Sequence, residues 1–199
     1  MNDEAASPRP ATQLELVRLL QLASPALPIG GYSYSQGLEW AVEHRLVHDA
    51  ASAQRWITEV MEVVIECNEA PIAWRLLRAC GADWAGFVRW NAWHRASRET
   101  AELRAETEQM GYSLLKLASD LGLLDEAARE ILPRVDPIGL PAAFALMVRG
   151  MGVSSEAGLT GYVWAWLENQ VLAAVKLVPL GQVAGQRILL ALAARVSEL

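Results

Sequence analysis

Apolar residues recur at helical spacing along most of the chain, and no run alternates with period two for a useful strand length. Leu16, Leu19, Leu20 and Ala23 form a first stripe. It is opened by Thr12 with Glu15 three residues on, the capping-box spacing in which side chains satisfy first-turn amides. The stretch SPALPIGGYS then breaks the period, because two prolines and a Gly-Gly pair fall within it. Helix is predicted to resume near Ser35 and to run through Leu38, Val42 and Leu46. Ser52 is placed to cap the next helix, whose Ile57, Val60, Met61, Val64 and Ile65 follow the i, i+3, i+4 rule. Pro71 predicts a break or kink before residues 72–80, and Asp83 a new start ahead of Trp84, Phe87, Val88 and Trp90.

From Arg98 to Leu121 the pattern predicts a longer helix with Leu103, Met110, Leu114, Leu117 and Leu121 at near-heptad spacing. Arg98–Glu102 and Arg104–Glu108 stand at i, i+4 on its other side, where an ion pair adds a few tenths of a kcal/mol. Pro133, Pro137 and Pro141 frame a connector, and two strongly apolar helices follow, over residues 155–175 and 181–196. Gly181 and Gly185 permit a close helix approach at the start of the second. The fold class expected is all-α, a single-domain helical bundle of about eight or more helices over residues 12–199. Residues 1–11 read as a disordered acidic tail.

Composition narrows the function more than the fold. Hydrophobic residues make up 53% of the 199, with eight tryptophans. A helical chain this apolar has either a large core or surface hidden in partners. The net charge of −6 and the scattered basic residues argue against binding nucleic acid or anionic membrane. Two cysteines without CxxC spacing fit a reducing compartment. The most apolar run, from Val171, carries Lys176 and Pro179 and is too short to span a bilayer. A cytoplasmic location is expected by elimination.

Searching for catalytic patterns yields little. GQVAGQR lacks the Lys and hydroxyl of a phosphate-binding loop. Ser113 and Lys116 match the SxxK pattern, but its companion motifs do not occur, and both fit solvent-facing helix positions. His44 and His48 share one helical face yet lack converging third and fourth ligands, and His94 stands among aromatics. Glu99, Glu102, Glu106 and Glu108, interleaved with arginines, read as a solvated or partner-facing side and not as an acid/base cluster. The expectation is no enzyme, no catalytic residue and no cofactor or metal bound by this chain. A helical small-molecule binding protein or enzyme with an inter-helix pocket is the alternative.

Packing explains two segments least. In SPALPIGGYSYSQGLEW, a loop stiffened by Pro25 and Pro28 leads to Tyr32, Ser33, Gln36 and Glu39. In WAWLENQVLAAVKLVPLGQVAGQR, Lys176 is the one charge between Glu168 and Arg187, and Gln182 and Gln186 are polar in an apolar context. LLQLASPALPIGGYSYSQGLEWAVE resembles the N-terminal signature of the urease accessory protein F family (UreF). RETAELRAETEQMGYSLLKLA is similar to its central helix, and LENQVLAAVKLVPLGQVAGQRIL to its C-terminal signature.

The resemblance implies an all-α, non-enzymatic adaptor or chaperone that forms homodimers. It also implies partners: a UreD/UreH-type accessory protein, the GTPase UreG and apo-urease, with nickel and GTP handled by the complex. Carried onto this chain, Tyr32, Ser33, Gln36, Glu39, Lys176, Gln182, Gln186 and Arg187 become candidate partner-binding residues. Arg187 or a glutamine would be the group acting on GTP in trans. The pattern departs at the C-terminus, where twelve residues follow Arg187 and family members carry a longer docking segment.

Overall fold

The computed structural model describes residues 12–31 and 35–199, and the expected tail over residues 1–11 lies outside them. The described residues fold as α-helices without strands. In chain order these are α1 (Gln13–Leu22), α2 (Leu38–Glu43), α3 (Ala50–Val60), α4 (Ala70–Ala79), α5 (Trp84–Ala96) and α6 (Ala101–Asp120). They continue with α7 (Glu126–Ile131), α8 (Leu140–Gly150), α9 (Ser155–Leu177) and α10 (Gln182–Glu198). A π-helical segment, Met61–Glu69, joins α3 to α4, and a 3-10 turn, Leu132–Arg134, follows α7.

The centre of the bundle is α8. All eight residues from Pro141 to Val148 are buried, and the helix packs against α4, α6 and α9. Its surroundings explain why periodicity hid it inside the expected connector. A helix covered on every side is apolar all round and has no polar face to mark its period. Close approach to α6 depends on Gly111, where a Cβ would overlap the Ile138 carbonyl and the Gly139 backbone.

Several boundaries depart from the expected ones. Helix α2 stops at Glu43 instead of continuing to Leu46: Arg45 takes a φ of +59°, and the Leu46 N–H returns to the Ala41 carbonyl. The cap of α3 is Asp49, not Ser52. Asp49 Oδ1 accepts from the Ser52 N–H at 2.8 Å, and Ser52 Oγ accepts in turn from the Asp49 N–H at 3.0 Å. Thr12 caps α1 as expected, but the reciprocal Glu15 carboxylate accepts the Ser154 N–H at the start of α9. Long helix α6 begins after Thr100, not at Arg98. Of the two glycines expected to allow close approach, only Gly185 is crowded, by Val175 and Val171 of α9; Gly181 has open space and a φ of +74°.

Pro71 breaks nothing. Its missing N–H and its ring, which would meet the carbonyl four residues back, are accommodated by the wider turns of the π segment. There the Ala70 N–H bonds to the Ile65 carbonyl, five residues away. The rod from Ala50 to Ala79 stays continuous, and Ile57, Met61, Ile65 and Glu69 follow one another at i+4 on its buried face. A carboxylate thus occupies a core position.

Candidate functional site

Three helices place polar side chains where their apolar register points inward. Glu69 follows Ile65, Asn91 and His94 follow Phe87 on α5, and Glu106 and Thr107 lie between Leu103 and Met110 on α6. Each of these polar residues is less than a tenth exposed. Burying them costs free energy unless partners are supplied, and the bundle supplies most of them.

Glu69 is the hub. Its Oε1 accepts from the Tyr162 hydroxyl of α9 at 2.6 Å and from His94 Nε2 at 3.1 Å. Its Oε2 lies 2.8 Å from Arg98 Nη2, close enough for charge pairing though not aligned as a hydrogen bond. Burial alone would raise the Glu69 pKa. The His94 imidazole, the Arg98 guanidinium and the Tyr162 hydroxyl outweigh that and bring it down to about 2. Tyr162, buried beside this charge, is pushed well above the usual phenol range, first by burial and then by Glu69 itself. Next to the hub, Asn91 Nδ2 donates to the Val135 and Pro137 carbonyls and Oδ1 accepts from the Gly139 N–H, pinning the turn ahead of α8.

These contacts correct three sequence expectations. His94 is not isolated among aromatics but paired with Glu69. Arg98 pairs with Glu69 and Arg95 with Glu108 at 2.7 Å, in place of the i, i+4 pairs Arg98–Glu102 and Arg104–Glu108. The reason is position: Arg98 precedes α6, so it is not on that helix surface. Glu106 is not solvated. It is 8% exposed, it accepts from Gln36 Nε2 at 3.1 Å, and burial raises its pKa above the usual carboxylate range.

A cavity of about 280 Å³ opens beside the hub, between the turn after α1, the π segment, α6 and α9. Glu69, Arg98 and Glu106 reach it, and its remaining walls are mostly apolar, including Ile65, Met110, Phe144 and Trp166.

The residues singled out for partner binding fall around α9. Gln36 bridges two elements: its Nε2 serves Glu106, and its Oε1 accepts from Trp166 Nε1 at 2.8 Å. Gly31 accepts from Asn169 Nδ2 at 3.0 Å. Glu39 is exposed on α2, which packs against α9. Lys176 lies exposed on the last turn of α9, and Gln182, Gln186 and Arg187 are exposed on the first turns of α10, which packs on α9. Both segments therefore share one supporting helix. Tyr32 and Ser33 lie outside the described residues.

Ser113 bonds the Gln109 carbonyl and Lys116 pairs with Asp120, so the SxxK residues do not face each other as a nucleophile and base. His44 Nδ1 contacts the Trp40 carbonyl and His48 Nδ1 that of Arg45. Among the described residues no three His, Cys, Asp or Glu side chains gather as a metal site, and no helix is long and apolar enough to cross a membrane.

Comparison with known proteins identifies the family. The UreF profile matches residues 47–193. The chain belongs to the UreF family. It is 51% identical over 181 residues to a urease accessory protein UreF of Cupriavidus metallidurans, covering 89% of this chain and 78% of that protein. It is 52% identical over 182 residues to the UreF of a Janthinobacterium species, covering 91% and 80%. A bifunctional urease accessory protein UreEF of Bordetella bronchiseptica is 53% identical over 176 residues, which are 88% of this chain and 41% of that one. A UreF-family chain is thus a urease accessory protein, and the buried hub lies within the matched region.

Proposed function

We propose that this chain is the non-enzymatic adaptor of a urease-maturation complex. It joins a UreD/UreH-type accessory protein and a UreG-type GTPase and promotes nickel insertion into apo-urease. It works in the cytoplasm as a homodimer, and nickel and GTP are handled by the complex and not by a site of its own. The observation that carries this reading is identity above one half, over about nine-tenths of the chain, to proteins named urease accessory proteins. The bifunctional UreEF relative, in which a UreF-like region shares a chain with further sequence, favours work alongside another accessory protein.

Contact with the GTPase or with urease is assigned to the exposed charges of the two segments, Glu39 and Lys176. Each is an exposed charge flanked in sequence by apolar or aromatic residues, a position open to a partner of complementary charge. Regulation of GTP hydrolysis is assigned to the same end of α9 and α10, where Gln182, Gln186 and Arg187 are exposed.

The test is reconstitution of apo-urease activation with and without this protein, with GTP hydrolysis measured in parallel. Activation should depend on the protein, and Glu39→Lys combined with Lys176→Glu should reduce nickel incorporation by about tenfold or more while leaving helicity unchanged. Activation that proceeds equally without the protein would end this reading, and full activity of the doubly reversed variant would end the assignment of its surface.

A further inference from the structure

The cavity beside the hub is bordered by two carboxylates in different states. Glu69 is paired on both oxygens by Tyr162, His94 and Arg98. Glu106 accepts a single hydrogen bond among the described residues, from the Gln36 amide, although a carboxylate offers about four acceptor positions. Arg98 also lines the cavity; its Nη2 is engaged by Glu69, while its buried Nε has no hydrogen-bond partner among the described residues. Among the described residues Glu106 is therefore a buried acceptor with capacity to spare, at the wall of a mostly apolar space whose lining includes Met110, Phe144 and Trp166.

That combination selects a ligand. A mostly apolar pocket with a few convergent polar groups is the usual form of a small-molecule site, where the walls take the body of the ligand and the polar groups set its orientation. An anion would meet two carboxylates. A neutral donor would bond the Glu106 carboxylate but leave its charge uncompensated. A cation carrying N–H donors would pair with it. The volume of about 280 Å³ equals that of roughly nine liquid waters, the size of a single-ring amine.

We propose that this cavity binds a small organic ammonium ion, its apolar body against Met110, Phe144 and Trp166 and its ammonium head on Glu106. The cavity is walled in part by Pro25, Gly31 and Gln36 of the first candidate partner segment and by Trp166 and Asn169 of the second, yet binding there needs no other protein.

The test uses the full chain with benzylammonium as probe and benzyl alcohol as its uncharged counterpart, both titrated by calorimetry at neutral pH. Benzylammonium should bind at least about tenfold more tightly, because it alone compensates the buried carboxylate charge. In Glu106→Gln the preference should fall to about twofold or less while benzyl alcohol binding persists. In the unaltered chain, nuclear Overhauser contacts should connect the probe ring to the Met110 methyl and the Trp166 indole, a readout that stands if the variant fails to fold. Equal affinity for the two probes, no binding of either, a preference that survives in Glu106→Gln, or contacts elsewhere on the chain would each overturn the proposal.

Discussion

Glu69 and Glu106 border the same cavity and are both about one-twelfth exposed, yet their surroundings treat them oppositely. Around Glu69, donors from α5, α9 and the turn before α6 converge, and its pKa falls to about 2 despite burial. Around Glu106 one amide faces a similar burial, and its pKa rises. The difference shows that depth alone does not decide whether a buried carboxylate stabilises a fold; the number and charge of its donors do. Glu69 ties helices together, whereas Glu106 is tolerated and leaves an acceptor turned to the cavity.

The harshest way to break this comparison is Glu69→Ala. It strands the His94 and Tyr162 donors and leaves the Arg98 guanidinium, largely buried, without its counter-charge. Removing one member of a buried pair costs about 3–5 kcal/mol. Urea unfolding at pH 7 should show a loss of that order, and a loss below about 1 kcal/mol would mean that Glu69 is not the hub described here. Tyr162→Phe is gentler: it removes one hydrogen bond to a charged group and keeps the ring packed against Phe144. It should cost about 1.5–3 kcal/mol in the same measurement. It should also raise the Glu69 pKa, which carboxyl-carbon NMR would follow directly.

How these residues read in the sequence depended on whether a helix keeps a polar face. The caps of α1 and α5 and the apolar stripe from Ile57 to Ile65 were legible, because local chemistry sets them. Helix α8 was hidden because it is buried all round and begins at a proline, which helices accept in their first turn. Glu69 carries a usable signal, a carboxylate in the i+4 register of an apolar stripe, but Pro71 two residues on predicts a break where that register in fact continues. Glu106 reads as solvated from its interleaved arginines and Arg98 as half of a surface pair, because local spacing is visible in sequence. Their partners, 70 and 29 residues away, are not. The two candidate partner-binding segments rest on resemblance and unexplained polarity, and the elements that carry them both pack on one helix, α9.

The smallest effect separates the two carboxylates most cleanly, because it should have the opposite sign. A depressed pKa means that Glu69 contributes stability above its unfolded value of 4.5, and that this contribution is lost as pH falls towards about 2. A raised pKa works in reverse. Glu106 favours the folded state while it is protonated, and that advantage disappears as pH rises through its folded pKa. Glu106→Gln keeps shape and hydrogen-bonding capacity but cannot ionise. At pH 7 it should therefore leave stability unchanged or raise it by up to about 1 kcal/mol, since it removes the cost of a buried, sparsely bonded charge. Near pH 4, where the carboxyl is protonated in the folded chain, the gain should shrink towards zero. Denaturant midpoints for the two proteins from pH 4 to pH 8 would trace it. A variant less stable than its parent at pH 7 by more than about 1 kcal/mol would place Glu106 with Glu69 as a structural anion and remove the contrast between them.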